Sequence, residues 1–280
     1  MKTISSDIVV NSILKKKIED NLESYYQFKG LFQDIKADKV YKEEVLISVV
    51  IPVYNEEKTI KVILEKLPKN NKIEVIVVDD NSNDNSLKEI KKAKFNSQLK
   101  IIKHGKNRGY GGALLSGIKK AKGQIIVTMD SDGQHRPEDL SNLISPILNQ
   151  EADIVIGSRY KGSYNYKLPI KTRLGEACLE KIILILFNRK ISNNQSGFRA
   201  FNRKALELFE NIQNLGYAFA TEIILKASLN GFRIKEIPIT ILKREYGSSK
   251  IILHKLFLSI ISSLFIYFLK KIKKIFSKKV

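Results

Sequence analysis

Four short apolar runs that begin at about even intervals constrain the fold of this chain more than any other feature. They are rich in β-branched residues and nearly continuous, as strands buried on both faces of a sheet should be: residues 46–55, 73–80, 99–104 and 124–130. Stretches with helical patterning separate them, at 57–67, 84–94 and 111–122. This alternation predicts an α/β fold with a mostly parallel, Rossmann-like central sheet.

Polar residues stand where three of these strands should end. They are Asn55, the pair Asp79 and Asp80, and the pair Asp130 and Asp132. Ligands of parallel sheets bind beyond the carboxyl ends of the strands, so we expect these residues to share one site. Two carboxylates directly after an apolar run fit either a polar turn or a hard divalent cation that keeps positions open for substrate phosphates.

The regular alternation ends after the apolar run at 152–160. Helical patterning predicts helices over 168–188 and 220–230, and 231–242 contains a further strand. The first of these helices carries an apolar stripe that is more typical of a core than of a membrane contact; the stripe consists of Leu174, Leu179, Ile182, Ile183 and Leu186.

Composition sets the class of protein. Of the 280 residues 43% are hydrophobic, with 13 Phe and 11 Tyr, which excludes a disordered chain. The single cysteine, Cys178, gives no reason to expect an oxidising compartment, and no secretory signal is recognisable, so a cytosolic setting is expected. The formal net charge of +20 suits nucleic acid or an anionic membrane surface without choosing between them.

The two ends of the chain look like additions to a central domain. We predict an N-terminal helical extension over 1–45, a central domain over 46–250 and a C-terminal hydrophobic helix with a basic tail over 251–280. The apolar run 256–269 is shorter than the roughly 20 residues that span a bilayer. It predicts an interfacial helix with lipid-attracting lysines. Residues 251–253 would extend it into a marginal span, and a helix docked on the domain is the alternative.

Seven motifs follow one another over about 200 residues, and their number and order carry more weight than any single match. Together they resemble family-2 glycosyltransferases of the GT-A fold, and most closely the dolichyl-phosphate mannose synthases and related polyprenyl-phosphate sugar transferases. The motifs are VVIPVYNEE (49–57), VVDDNSNDNS (77–86), NRGYGGALLSGIKKAKG (107–123), DSDGQHRPEDL (130–140), IVIGSRY (154–160), QSGFRAFNRKAL (195–206) and KREYGSSK (243–250).

The resemblance implies an inverting, metal-dependent transferase at the cytoplasmic face of the cell membrane. It would move a hexose, mannose or glucose, from a GDP- or UDP-sugar to a polyprenyl phosphate such as dolichyl phosphate. Asp130, Asp132 and Gln134 match the ligands of Mg²⁺ or Mn²⁺, and Asp132 also matches a catalytic position. The metal would neutralise the diphosphate that leaves when the sugar is transferred.

The resemblance also implies a binding site for the sugar donor. The matching positions are Pro52, Tyr54, Glu56, Asp79, Asp80, Ser131, Arg244 and Lys250. The pair Asp79 and Asp80 would contact the base or ribose, although Asn81, Ser82 and Asp84 also fit simple capping of the next helix, and both explanations can hold. The Gly-rich segment 109–113 lacks the Lys-Ser/Thr of a P-loop and favours close packing of a helix on the sheet.

Two arginines, Arg159 and Arg173, match acceptor-phosphate contacts, for which the planar guanidinium is well suited. One position departs from the pattern: Asn193 stands where related enzymes often have Asp. A neutral amide cannot serve as a general base, which suits an anionic phosphate acceptor better than a sugar hydroxyl, unless Glu222 takes that role.

Two rival functions stay open at this point. One is a family-2 enzyme that glycosylates a sugar hydroxyl during surface polysaccharide assembly. The other, suggested by charge alone, is a nucleic-acid binding protein, for which the chain lacks an identifiable recognition motif.

Overall fold

Seven strands form one sheet in the computed structural model of the chain, which describes residues 46–95, 98–164, 170–248 and 252–277. The strands are β1 (Ile47–Val53), β2 (Ile73–Asp79), β3 (Gln98–Lys103), β4 (Ile125–Thr128), β5 (Ile154–Tyr164), β6 (Arg199–Asn202) and β7 (Ile234–Ile241). The predicted N-terminal extension over 1–45 and the predicted donor contact Lys250 lie outside the described residues.

The strand order across the sheet is β3-β2-β1-β4-β6-β5-β7. Only β6 runs antiparallel to its neighbours, β4 and β5, and the other pairs are parallel. The predicted mostly parallel sheet is therefore confirmed. Every residue of β1, β2 and β4 is buried, as their continuous apolar sequences predict.

The strand at 99–104 does not fit the prediction that all four runs are buried on both faces. No residue of β3 is fully buried, because β3 pairs with β2 alone and forms one edge of the sheet. Lys100 and Lys103 within the strand are compatible with an edge position, where charged side chains also discourage pairing with another chain.

Seven α-helices lie within the described ranges. They are α1 (Ile60–Lys66), α2 (Ser86–Lys92), α3 (Tyr110–Ile118), α4 (Leu140–Leu148), α5 (Ile170–Phe187), α6 (Phe219–Leu229) and α7 (Leu253–Phe276). The glycines of α3 permit close packing, but against two different neighbours. A Cβ at Gly117 would overlap Val50 of the sheet, whereas a Cβ at Gly111 would lie 2.9 Å from Phe219 of α6.

Helix α5 is only partly a core helix. Leu179 and Ile183 are buried in the main hydrophobic cluster, as predicted for the apolar stripe. Leu174 of the same stripe is exposed, and so is Ile185. The prediction that the whole stripe belongs to the core is therefore wrong for Leu174.

The C-terminal helix α7 has two apolar faces with different surroundings. Ile260, Leu264 and Tyr267 are buried in the same cluster as residues of α6, so the helix is docked on the domain. The other face exposes large apolar side chains to solvent, namely Phe257, Leu258, Ile261, Phe265 and Leu269. Among the described helices, none has the length and apolar character needed to cross a membrane. The docked alternative is therefore supported for one face, and contact of the exposed face with a membrane stays a prediction.

Candidate active site

The acidic pair Asp130 and Asp132 directly follows β4, near the middle of the sheet. Asp130 Oδ1 accepts a hydrogen bond of 2.8 Å from the Tyr110 hydroxyl, and 30% of the Asp130 side chain is exposed. Asp132 Oδ1 accepts from the backbone N–H of Gln134 at 3.0 Å, and Asp132 Oδ2 forms an ion pair with Arg244. Burial raises the pKa of Asp130, and the like charge of Asp132 also raises it.

Two residues of the QSGFR motif shape the space around Asp130. A Cβ at Gly197 would overlap both carboxylate oxygens of Asp130, so this position must be glycine for the carboxylate to sit where it does. The buried guanidinium of Arg199 donates to the backbone carbonyls of Ser196, Asn194 and Ala220. Burial lowers the pKa of Arg199 to about 10, which leaves it charged at neutral pH.

The ligand atoms at the end of β4 fit a hard divalent cation. Within the described part of the chain no group of three or more His, Cys, Asp or Glu side chains forms a metal cage. Two carboxylates suit Mg²⁺ or Mn²⁺ when substrate phosphates and water complete the shell. Gln134 donates through Nε2 to Leu242 O at 3.1 Å, so its amide oxygen is the ligand atom it can offer. His135 Nδ1 lies 3.8 Å from Asp130 Oδ2 and accepts a hydrogen bond from the N–H of Asp130 at 3.3 Å.

Some of the residues predicted to bind the sugar donor lie on β1 and between the two aspartates. Their hydrogen bonds connect the ends of these strands to each other. Ser131 Oγ donates to Pro52 O at 2.7 Å, and Ser131 O accepts from Thr59 Oγ1 at 2.6 Å. The Glu56 carboxylate accepts from Thr59 Oγ1 at 3.2 Å. Tyr54 is half-buried just beyond β1. The structure thus brings these residues to one edge of the sheet, and their contacts with a donor stay a prediction.

The acidic pair at the end of β2 is held by the protein itself. Asp80 Oδ1 lies 2.6 Å from His104 Nδ1 and accepts from the N–H of Arg108 at 2.8 Å. Asp80 Oδ2 accepts from the N–H of Gly109 at 2.9 Å. Asp79 Oδ1 accepts from the N–H of Ser82 at 3.2 Å. Asp80 therefore holds the loop before α3 in place. The sequence predicts a contact of Asp80 with the base or ribose and does not predict this structural role.

The loop before α2 supports the capping explanation in part. Asp84 Oδ1 accepts from the N–H of Ser86, the first residue of α2, at 2.9 Å. Asp84 Oδ2 accepts from the N–H of Glu57 at 3.1 Å, which ties this loop to the end of β1.

The predicted acceptor residues lie together on β5 and α5, separated from β4 by β6. The Arg159 guanidinium lies 3.4 Å from the Glu176 carboxylate, to which the Tyr160 hydroxyl also donates. The Arg173 guanidinium lies 3.9 Å from the centroid of the Tyr160 ring. Burial and Glu176 raise the pKa of Tyr160 to about 12. The Arg159 guanidinium lies 5.8 Å from the centroid of the same ring, and Arg173 is exposed.

The loop after β7 folds over the acidic pair through Arg244. Its guanidinium donates to Ser248 O at 3.1 Å in addition to the ion pair with Asp132. The structure therefore brings Arg244 to the site, as the resemblance implies.

The structure does not support Glu222 as a general base. Its side chain is fully buried on α6, and its carboxylate accepts from the backbone of Gln213 and Asn214, from the Asn214 side chain and from the Tyr267 hydroxyl. Asn193 is also buried, with Nδ2 donating to Gly157 O at 3.4 Å.

Sequence reasoning missed the aromatic residues around Asp130. Tyr110 lies within the Gly-rich motif, and its ring stacks on that of Tyr217, with centroids 5.4 Å apart and an interplanar angle of 20°. The position of Tyr110 in a motif was a usable signal, whereas nothing in the sequence marks Tyr217.

Comparison with known proteins gives a consistent result. Residues 48–209 match the family described as Glycosyl transferase family 2. The chain is 35% identical over 223 residues to the UDP-N-acetylglucosamine–dolichyl-phosphate N-acetylglucosaminyltransferase of Methanococcus voltae, covering 73% of this chain and 89% of that protein. It is 32% identical over 217 residues to the dolichol-phosphate mannosyltransferase of Pyrococcus furiosus, covering 73% of this chain and 59% of that protein.

Among solved structures, the glucosyl-3-phosphoglycerate synthase of Mycobacterium tuberculosis in complex with Mn²⁺ and UDP-glucose is similar in fold. The TM-score is 0.63 at 20% sequence identity, with 79% of this chain and 78% of that chain covered. The likeness confirms the predicted α/β fold of the GT-A type.

Proposed function

The chain belongs to glycosyl transferase family 2, and on that premise we propose that it transfers a hexose from a nucleotide diphosphate sugar to a polyprenyl phosphate, with inversion at the anomeric carbon. The observation that carries the proposal is the pair Asp130 and Asp132 at the end of β4, with Arg244 of the loop after β7 folded onto it. The names of the similar proteins, which act on dolichyl phosphate, support a polyprenyl phosphate such as dolichyl phosphate as the acceptor.

The donor side of the proposal needs a cation. Asp130, Asp132 and the amide oxygen of Gln134 would hold Mg²⁺ or Mn²⁺, which when bound would neutralise the charge that develops on the departing nucleotide diphosphate. The Mn²⁺ and UDP-glucose in the complex of the fold neighbour agree with this class of ligand. The guanidinium of Arg244 would leave Asp132 and turn to the phosphates of the donor, because both are anions within reach of one flexible side chain.

The acceptor side of the proposal needs no general base. A phosphate oxygen is already anionic at neutral pH and can attack the anomeric carbon directly. This agrees with the amide at Asn193 and with the engagement of Glu222 by protein donors. Arg159 and Arg173 would bind the acceptor phosphate, for which Arg173 is accessible and Arg159 is oriented by Glu176.

A peripheral position on the cytoplasmic face of the membrane completes the proposal. The exposed face of α7 carries Phe257, Leu258, Ile261, Phe265 and Leu269, and residues 270–279 carry six lysines. Apolar side chains that enter the interface and lysines that attract anionic lipids act together on a helix of this kind. Helix α5 adds exposed Ile170, Leu174 and Ile185.

The test is a transfer assay with radiolabelled donors, dolichyl phosphate and Mn²⁺. We expect one of UDP-glucose, UDP-N-acetylglucosamine and GDP-mannose to yield a labelled product that extracts into organic solvent, and excess EDTA to abolish its formation. Label transferred only to water-soluble saccharides would favour the rival enzyme that acts on a sugar hydroxyl. Proton NMR of the product would show the anomeric configuration, and retention would contradict the proposed inversion.

Membrane attachment has its own test. The double substitution Phe257→Ser and Phe265→Ser removes two exposed rings without touching the docked face of α7. We expect it to reduce co-sedimentation with vesicles that contain anionic lipid while thermal unfolding stays unchanged. Equal co-sedimentation of the variant and the parent protein would contradict the proposed use of this face.

A further inference from the structure

We propose that Tyr267, on the C-terminal helix α7, is a positioning residue for Asp130 and acts through Glu222 and the segment that precedes α6. This segment, residues 210–218, is called the bridging segment below. The proposal rests on the metal-dependent function proposed above, and it gives α7 a role in the geometry of the site in addition to membrane attachment.

The first contact of this connection is at the carboxylate. The Tyr110 hydroxyl donates to Asp130 Oδ1 at 2.8 Å. A ligand carboxylate with one oxygen held in this way has fewer orientations open to it. Loss of a partner that holds a metal-ligating side chain in place typically weakens metal binding by about 10–100-fold.

The second contact joins Tyr110 to the bridging segment. The Tyr110 ring stacks on Tyr217 at 5.4 Å between centroids. Beside it, the N–H of Gly112 donates to Leu215 O at 3.2 Å. Gly109, with a φ of 81°, leaves no room between the two segments, because a Cβ there would lie 2.7 Å from Leu215 O. The start of α3 therefore follows the position of the bridging segment closely.

The third contact holds the bridging segment onto α6. The Glu222 carboxylate accepts from the N–H of Gln213 at 2.9 Å and from the N–H of Asn214 at 2.8 Å. Asn214 Nδ2 also donates to the same carboxylate at 3.0 Å. A fully buried carboxylate with these donors is fixed in place, and it fixes the backbone that supplies them.

The last contact brings in α7. The Tyr267 hydroxyl donates to Glu222 Oε1 at 2.8 Å, and Ser263 Oγ lies 2.8 Å from Asn214 Nδ2. Both α7 side chains are buried. Without the Tyr267 hydroxyl, the buried carboxylate of Glu222 loses one of its hydrogen-bond donors. The Glu222 side chain, which holds Asn214, is then less constrained. The connection from α7 to Asp130 is continuous, and each step is a direct contact.

The main experiment uses Tyr267→Phe in the full chain, which removes the hydroxyl and keeps the ring. Mn²⁺ binding is measured by the loss of the free-ion EPR signal when the protein is titrated with Mn²⁺ alone, because a free nucleoside diphosphate would itself bind the ion. We expect the Kd for Mn²⁺ to rise by about fivefold, because a change along a packed network that touches neither the metal nor its ligands alters binding only modestly. The matched control is Ile260→Val, on the same buried face of α7, which removes one methylene and no polar contact.

The control separates positioning from loss of stability. Ile260→Val should lower the thermal stability by a similar amount while leaving the Kd for Mn²⁺ within about twofold, since small losses of packing act mainly on stability. If Tyr267→Phe leaves the Kd unchanged, or if both variants raise it equally, the proposal is overturned.

A double-mutant cycle tests the route. Tyr217→Leu should raise the Kd for Mn²⁺ by itself, and adding Tyr267→Phe to it should produce little further change, because both act through the same ring. Fully additive effects would overturn the proposed route from Tyr267 through the bridging segment to Asp130.

Hydrogen exchange keeps the test independent of metal binding. The N–H of Gly112 reports the contact between α3 and the bridging segment through its bond to Leu215 O. We expect this amide to exchange faster in Tyr267→Phe than in the parent protein or in Ile260→Val. Unchanged exchange would overturn the proposal even in an active enzyme, whereas faster exchange in a protein that binds no Mn²⁺ would overturn only the metal-dependent function.

Discussion

The ends of β2 and β4 carry similar acidic pairs, but the partners of their carboxylates differ. At the end of β2, Asp80 is held by His104 and by the backbone N–H groups of Arg108 and Gly109. At the end of β4, Asp132 is held by the N–H of its own turn and by the side chain of Arg244. Backbone donors cannot leave without unfolding the loop, whereas one arginine side chain can. The first carboxylate therefore maintains the structure, and the second is available for a cation.

Asp132→Asn gives the strongest test of the end of β4. Replacing one of the two carboxylates removes a charged ligand from an open site, and a bound metal contributes several kcal/mol to transfer. We expect the transfer rate to fall by at least about 100-fold, while urea unfolding changes little. A variant with parental turnover, or full activity of the parent protein in excess EDTA, would contradict the assignment of this carboxylate to a metal.

Asp80→Asn tests the end of β2 and should act on stability. The backbone N–H groups of Arg108 and Gly109 donate to the two different carboxylate oxygens of Asp80, whereas an asparagine side chain has only one acceptor oxygen. The free energy of unfolding in urea should therefore fall by about 1–3 kcal/mol. The control is Asp79→Asn, which affects one described hydrogen bond to the N–H of Ser82 and should cost less. If Asp80→Asn unfolds like the parent protein but loses nucleotide affinity, the original prediction of a base or ribose contact is right.

The sequence was sufficient to predict that residues from three strands meet at one edge. Parallel strands end on the same side, so Asn55, Asp80 and Asp130 could be assigned to one site from the alternation of strands and helices alone. Periodicity does not reveal which strand becomes an edge, and β3 was wrongly predicted to be buried.

Long-range contacts could not be predicted from the sequence either. The engagement of Asp80 by His104, and of Glu222 by Tyr267, joins residues that are 24 and 45 positions apart. The roles of such residues depend on packing between helices, for which a single sequence has no direct signal. The two faces of α7 illustrate the same limit, because hydrophobicity marked the helix without distinguishing the docked face from the exposed one.

The smallest expected effect concerns Arg244, the movable partner in this comparison. Its ion pair with Asp132 must open before a cation can use that carboxylate, so the arginine competes with the metal when no donor is bound. Arg244→Gln should therefore strengthen Mn²⁺ binding in the absence of nucleotide by about threefold. This corresponds to about 0.7 kcal/mol, within the range of partly exposed ion pairs.

The control is Lys243→Gln, which removes the same charge from the same loop but replaces an exposed lysine that neighbours Arg244. Because a general loss of positive charge also favours cation binding, only an excess of Arg244→Gln over this control measures the ion pair. Arg244→Gln should also weaken binding of the nucleotide sugar, since the Arg244 guanidinium is expected to turn to the phosphates of the sugar donor. Weaker Mn²⁺ binding by Arg244→Gln in the absence of nucleotide would mean that Arg244 supports the metal site instead of competing for it, and that it is not the movable partner of Asp132.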